Sequence, residues 1–144
     1  MQIRRPIDKL SGVCWLPRLI DKTNHTYKDT LTEDYAFAFC HPKGIDGAFL
    51  NFFDLSKEDF LEAVKSSDGD DSKVAEWFLK QPGVSEEKIQ QWNTLAPTLG
   101  AKDQPMHNTF LWVQKNIVKN CDDPTVDTIF KILDWDEGHY RTGK

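Results

Sequence analysis

The chain is poor in the features that mark several protein classes. Its 144 residues include three cysteines, Cys14, Cys40 and Cys121, an odd number without close spacing, which fits reduced thiols better than a disulfide framework. Lysine and arginine total 18 against 23 acidic residues, a formal net charge of −5, and no basic block stands out. Nucleic acid and anionic membrane are bound by concentrated positive surface, so neither is an expected partner. Long apolar runs are missing too: the longest, YAFAFC at 35–40, is far short of a bilayer span. The opening MQIRRPIDKLSGVCW carries two arginines with no apolar signal-peptide core behind them, which makes the cytoplasm the expected compartment. Glycine-rich phosphate loops, G-x-S-x-G elbows and H-E-x-x-H pairs are absent.

What the chain does have is bulky apolar material. Hydrophobic residues make up 39%, aromatic residues 12%, and five are tryptophan, enough to offset the entropy of ordering. A chain of this length buries roughly 68% of its unfolded surface, so it needs no covalent staples. One domain over 1–144 is expected, with an extended lead-in over 1–15, where Pro6 and Gly12 interrupt any regular period.

A first helix is expected after the lead-in, and from Gly44 onward the pattern is helical throughout. Pro17 suits a first turn, and the helix it opens can run to about Tyr27. KDTLTED reads as a loop. YAFAF, at 35–39, alternates aromatics with alanine and fits a short strand or a short buried helix. After Gly44 come DGAFLNFF, then SKEDFLEAVKSS with Ser56 as N-cap and Asp59 at the capping-box position, then DSKVAEWFLKQPG, which ends on Pro82 and Gly83. SEEKIQQWNTLA, a helix around MHNTFLWVQKNIVKN, and DPTVDTIFKILDW follow, the last with Asp123 as cap and Pro124 in the first turn. The expected fold is mainly α, a compact array of six or seven short helices with one short strand or hairpin near 35–40.

One stretch, GVCWLPRLIDKTNHT at 12–26, concentrates polar chemistry. At about 100° per residue, Leu16, Leu19, Ile20 and Thr23 share one arc, the core face. Trp15, Arg18, Lys22 and His25 share another, with Asp21 and Cys14 beside it. A guanidinium, an ammonium one turn on, an imidazole and an aromatic wall are the parts of an anion site for carboxylate or phosphate. The same residues can equally form a structural ion pair, Arg18 with Asp21 or a distant acid, under the cover of Trp15. Asp21 and His25, at i and i+4, could also orient an imidazole for acid–base work or simply pair in solvent.

The segment RRPIDKLSGVCWLPRLIDKTNHT resembles the opening signature of a family of small bacterial proteins catalogued only as a domain of unknown function. The signature runs as a proline-containing lead, a glycine, an aromatic, Leu-Pro-Arg, an apolar pair and Asp-Lys, matched here by Pro6, Gly12, Trp15, Leu16, Pro17, Arg18, Leu19, Ile20, Asp21 and Lys22. A weaker similarity continues through Tyr35, Cys40, FLNFF, DFLEAV and the DEG at 136–138. The chain departs from the pattern at Thr23 and Asn24, and its CHPKGID is longer than the family's Cys-Pro-Leu-Asp form. The resemblance implies a fold unit and brings no reaction with it.

A second cluster closes the sequence. Asp134, Asp136 and Glu137 fall at an expected helix carboxyl end, where the macrodipole disfavours negative charge. They call for a cation: a metal ion, or Arg18 and Lys22 docking across the fold, the favoured alternative because the basic arc needs counter-charge for the same reason. A solvated terminus is the plainer reading.

Metal chemistry finds little support in spacing. DGDDSKVAEWFL opens like a calcium loop, but Lys73 stands where glycine is needed and Leu79 where a bidentate glutamate is needed. Cys14, His25, Cys40 and His41 have zinc-ligand atoms without closely spaced pairs. Neither metal nor cofactor is expected. The favoured function is binding of a small anionic molecule or an acidic protein segment through Trp15, Arg18, Lys22 and His25. The alternative is a small enzyme using His25 or Cys40 for acid–base or nucleophilic chemistry beside that site, and a third is an interaction module whose motif is wholly structural.

Overall fold

Residues 2–140 are described by the computed structural model of the chain. Among them the fold is mainly α, with eight α-helices, one 3-10 turn and a two-stranded hairpin. The hairpin pairs β1 (Lys9–Leu10) with β2 (Val13–Cys14), antiparallel, in the register Lys9 to Cys14 and Leu10 to Val13. It lies in the lead-in and not near 35–40. The reason is local: Ser11 and Gly12 both take positive φ, 51° and 81°, the geometry a two-residue loop needs to follow the strands' twist. Residues 35–40 instead belong to α2 (Glu33–Ala36) and the turn after it.

The chain divides into two compact units, Met1–Asn93 and Thr94–Lys144. In the first, α1 (Leu16–Tyr27) starts with Pro17 in its opening turn and buries Leu16, Leu19, Ile20 and Thr23, the expected core face. Next come α3 (Ile45–Phe52), α4 (Lys57–Ser67) and α5 (Asp71–Leu79). Ser56 caps α4 as expected, its hydroxyl accepting the Asp59 N–H, and Asp70 caps α5 by accepting the Ser72 N–H. α6 (Glu86–Leu95) completes the unit, whose boundary falls in the last turn of that helix.

The aromatic centre of this unit is Phe49, Phe53, Phe78 and Trp92, with ring centroids 5.0–5.8 Å apart for Phe49–Phe53, Phe49–Phe78, Phe49–Trp92 and Phe53–Phe78. Edge-to-face and stacked pairs at such distances add to the gain from burial. α6 also clamps the hairpin: Trp92 Nε1 donates to the Cys14 carbonyl at 2.9 Å, and the Asn93 amide takes the Cys14 N–H at 3.0 Å while donating to Gly12 O at 2.6 Å. The hairpin is thereby fixed just ahead of α1.

The second unit holds the 3-10 turn Ala96–Thr98, α7 (His107–Asn116) and α8 (Ile129–Asp136). Its core gathers Leu99, Phe110, Val118, Val126, Ile129, Phe130 and Ile132. Gly100, at φ 94°, lies so close to Ile129 and Phe110 that a Cβ there would collide with both. α8 begins later than the sequence suggests. Asp123 spends its carboxylate on the N–H and hydroxyl of Thr125, making a turn, and Thr128 is the cap, accepting the Lys131 N–H. No helix among the described residues is long and apolar enough to cross a membrane.

Candidate functional site

The candidate site is organised on α1 around a residue from α3. Asp46, 1% exposed, accepts three hydrogen bonds: from Trp15 Nε1 at 2.8 Å, from Lys22 Nζ at 2.8 Å and from the Cys40 backbone N–H at 2.9 Å. Lys22 Nζ also lies 5.0 Å from the Trp15 ring centroid. Arg18, one turn before Lys22, places its guanidinium carbon 5.3 Å from the Trp15 ring and 5.7 Å from the Tyr35 ring, and its Nη1 donates to the Arg4 carbonyl at 3.0 Å. Trp15, Arg18 and Lys22 are all buried.

Two unusual backbone positions hold this arrangement. Trp15 has φ 73° and Cys40 φ 55°, left-handed conformations that cost a residue with a Cβ of order 1–3 kcal/mol. Trp15 is held there by its N–H to the Pro6 carbonyl at 3.0 Å and by its indole bond to Asp46. Cys40 is held by Asp46 and by the loop behind it. Gly47 makes that loop possible, because a Cβ at 47 would collide with the His41 carbonyl and with Pro42.

The charges respond to burial in different ways. Burial pushes the Lys22 ammonium below its ordinary value, opposed by the charge of Asp46 and reinforced by that of Arg18. The Cys40 thiol is pushed up to about 12, first by burial and then by Asp46, so it is a poor source of thiolate at neutral pH. On another side of α1, Arg4 grips Asp21 through Nε (3.0 Å) and Nη2 (2.8 Å) and reaches Asp71 through Nη1 (2.6 Å). Those bonds, Asp21 foremost, raise the Arg4 guanidinium further above its already high value.

Of the residues singled out from sequence, Trp15, Arg18 and Lys22 come together, with Asp46 and Tyr35 completing the group. His25 stands apart, with Nδ1 at 2.7 Å from Thr30 Oγ1 and Nε2 at 2.9 Å from the Gln2 carbonyl. The carbonyl can only accept, so Nε2 carries the proton and the ring ties the lead-in to the end of α1. Asp21 is the partner of Arg4. Lys22 takes its counter-charge from Asp46. Asp134 and Asp136 occupy the last turn of α8 and Glu137 follows as its C-cap, with Gly138 at φ 83° stopping the helix. Cys14, His25, Cys40 and His41 do not converge: Cys14 is buried in β2 and His41 is exposed, with Nδ1 accepting the Lys43 N–H. Among the described residues no group of three or more histidine, cysteine or acidic side chains is placed to hold a metal.

Sequence reasoning missed Asp46 and Arg4. The available signal for Asp46 was the cysteine-to-aspartate segment of the family signature, whose last residue here is the acceptor for all three donors. The family model described as "Domain of unknown function (DUF5069)" matches residues 1–139. The chain belongs to that family. The match takes in the α1 motif, the Cys40–Asp46 loop and α8. No curated protein matches the chain.

Proposed function

We propose that this family member is a cytoplasmic bacterial binding protein, in which Arg18 receives a carboxylate or phosphate from a small anion or an acidic partner segment. The observation that carries the reading is the guanidinium lying within 5.3 and 5.7 Å of two aromatic ring centroids, which orients a planar fork suited to bidentate oxyanion contact. Trp15 and Lys22 then serve as mount more than as contact, since both are committed to Asp46. An incoming anion would have to reach a guanidinium that is 1% exposed and compete with the Arg4 carbonyl for Nη1. Three free cysteines fit a reducing compartment.

Catalysis by Cys40 or His25 has less in its favour. The thiol is pushed up to about 12, and both ring nitrogens of His25 are engaged in bonds that tie the chain together.

The test is a thermal-shift titration with inorganic phosphate, pyrophosphate and citrate at constant ionic strength, on wild type and Arg18→Lys. An anion at 100 times its dissociation constant stabilises by about 2.7 kcal/mol, worth roughly 5–10 °C at this size. A saturable shift in wild type that disappears in a folded Arg18→Lys supports the reading. Equal shifts in both proteins, or none in either, would remove it.

A further inference from the structure

A cleft of about 430 Å³ opens in the first unit, away from the Asp46 network, between the hairpin turn and the start of α6. Its volume lies within the range of small-molecule sites. Leu79, Val84 and Ile89 are its apolar lining, and Ser11, Glu86 and Asn93 are among its polar lining. Leu79 is 48% exposed, so covering it removes apolar surface from water. Part of the lining's hydrogen-bonding capacity is already used. Asn93 spends its amide on Gly12 and Cys14, and Ser85 accepts the Lys88 N–H. Glu86 is the one charged group of the lining and makes no ion pair among the described residues.

We infer that this cleft binds a small aliphatic ammonium compound, with its hydrocarbon body on Leu79, Val84 and Ile89 and its charge at Glu86. The N-terminus of α6 carries only about half a positive charge against the full negative charge of the Glu86 carboxylate in its first turn, so the balance at this end of the cleft favours a cation. A free small molecule fits better than an extended peptide. The Gly12 carbonyl and both Cys14 backbone groups are already bonded by Asn93 and Trp92, which leaves that part of the hairpin without partners for another strand. This site uses none of the residues of the anion reading, and either can fail without the other.

The test is amide-resonance titration of the full chain with n-hexylammonium, n-hexanol, hexanoate and the capped tripeptide acetyl-Gly-Lys-Gly-amide, on wild type, Glu86→Gln and Val84→Trp. Hexylammonium is expected to shift the Ser11, Gly12 and Glu86 amides saturably, and to bind about fivefold more tightly than hexanol, the gain of one exposed ion pair. Glu86→Gln, at an exposed position, should erase that difference while leaving hexanol unchanged. Val84→Trp should fill the cleft and abolish every response. No saturable shift, equal binding of hexylammonium and hexanoate, an undiminished preference in Glu86→Gln, or tighter binding of the peptide would each overturn the assignment.

Discussion

α1 carries two ion-pair systems built on different physics. Lys22 and Asp46 meet at 2.8 Å with side chains 5% and 1% exposed, whereas Arg4 meets Asp21 and Asp71 with its side chain 36% exposed. The buried pair has given up its water, and burial works against the Lys22 charge. It persists because Asp46 is also held by the Trp15 indole and the Cys40 N–H. The Arg4 clamp keeps much of its hydration and gains from a fork spread over two carboxylates. The first system fixes geometry, including two left-handed residues, and the second ties the lead-in to α1 and α5.

The largest separation between the two should come from deleting one carboxylate. Asp46→Ala strands a buried ammonium, an indole N–H and a backbone N–H, and is expected to cost about 3–5 kcal/mol in urea denaturation. Gly47→Ala is expected to cost about 1–3 kcal/mol, because the loop carrying the Cys40 N–H must move off the new methyl. An unchanged Trp15 indole resonance in that variant would show that the loop does not support Asp46. Arg4→Ala should cost about 1 kcal/mol at low ionic strength and less at about 1 M salt, whereas the Asp46→Ala penalty should hardly respond to salt. Equal salt responses would erase the distinction.

A further effect is a pH dependence. The buried Cys14 thiol is raised to about 11 from an ordinary 9.0, so the folded state holds this proton more tightly than the unfolded state. That contribution is fully present below about pH 9 and is lost as pH rises toward about 11. Cys40 acts in the same direction up to about 12, while Lys22, lowered by burial, acts in the opposite one. Melting curves between about pH 8 and about pH 10.5 should therefore fall less steeply for Cys14→Ala than for wild type, and an unchanged slope would count against the burial of that thiol.

Local signals carried the parts of this arrangement that are local. Pro17 and the spacing of Leu16, Leu19, Ile20 and Thr23 give α1 and its buried face, and Ser56 with Asp59 gives the start of α4, because propensity and capping act within a few residues. Signals of similar strength mislead where two local solutions compete. The Asp123-Pro124 pair looks like a helix start, yet the Asp123 carboxylate bonds Thr125 first and leaves Thr128 to cap α8. The alternation of 35–39 fits a strand, but in the folded chain Tyr35 sits in α2 with its ring near Arg18. The lead-in hides a hairpin because Ser11-Gly12 reads as an interruption unless its left-handed pairing is considered.

The basic arc itself was legible as three neighbouring side chains, Trp15, Arg18 and Lys22. Its partners were not. Asp46 lies 31 and 24 residues from Trp15 and Lys22, and Asp71 lies 67 from Arg4. No helical or strand period spans such separations, so the choice of counter-charge belongs to tertiary packing. His25 shows the reverse failure: it shares the arc by periodicity, but it sits near the helix end, where Thr30 and Gln2 bind its ring.

The most direct measurement is a double-mutant cycle in urea, combining Lys22→Met with Asp46→Ala. If Asp46 is the hub of the α1 face, the two substitutions share one interaction, and a coupling of about 2–3 kcal/mol is expected, at the upper end for contacting residues. Additive losses, with coupling below about 0.5 kcal/mol, would contradict the hub and leave Trp15, Arg18 and Lys22 as independently packed side chains.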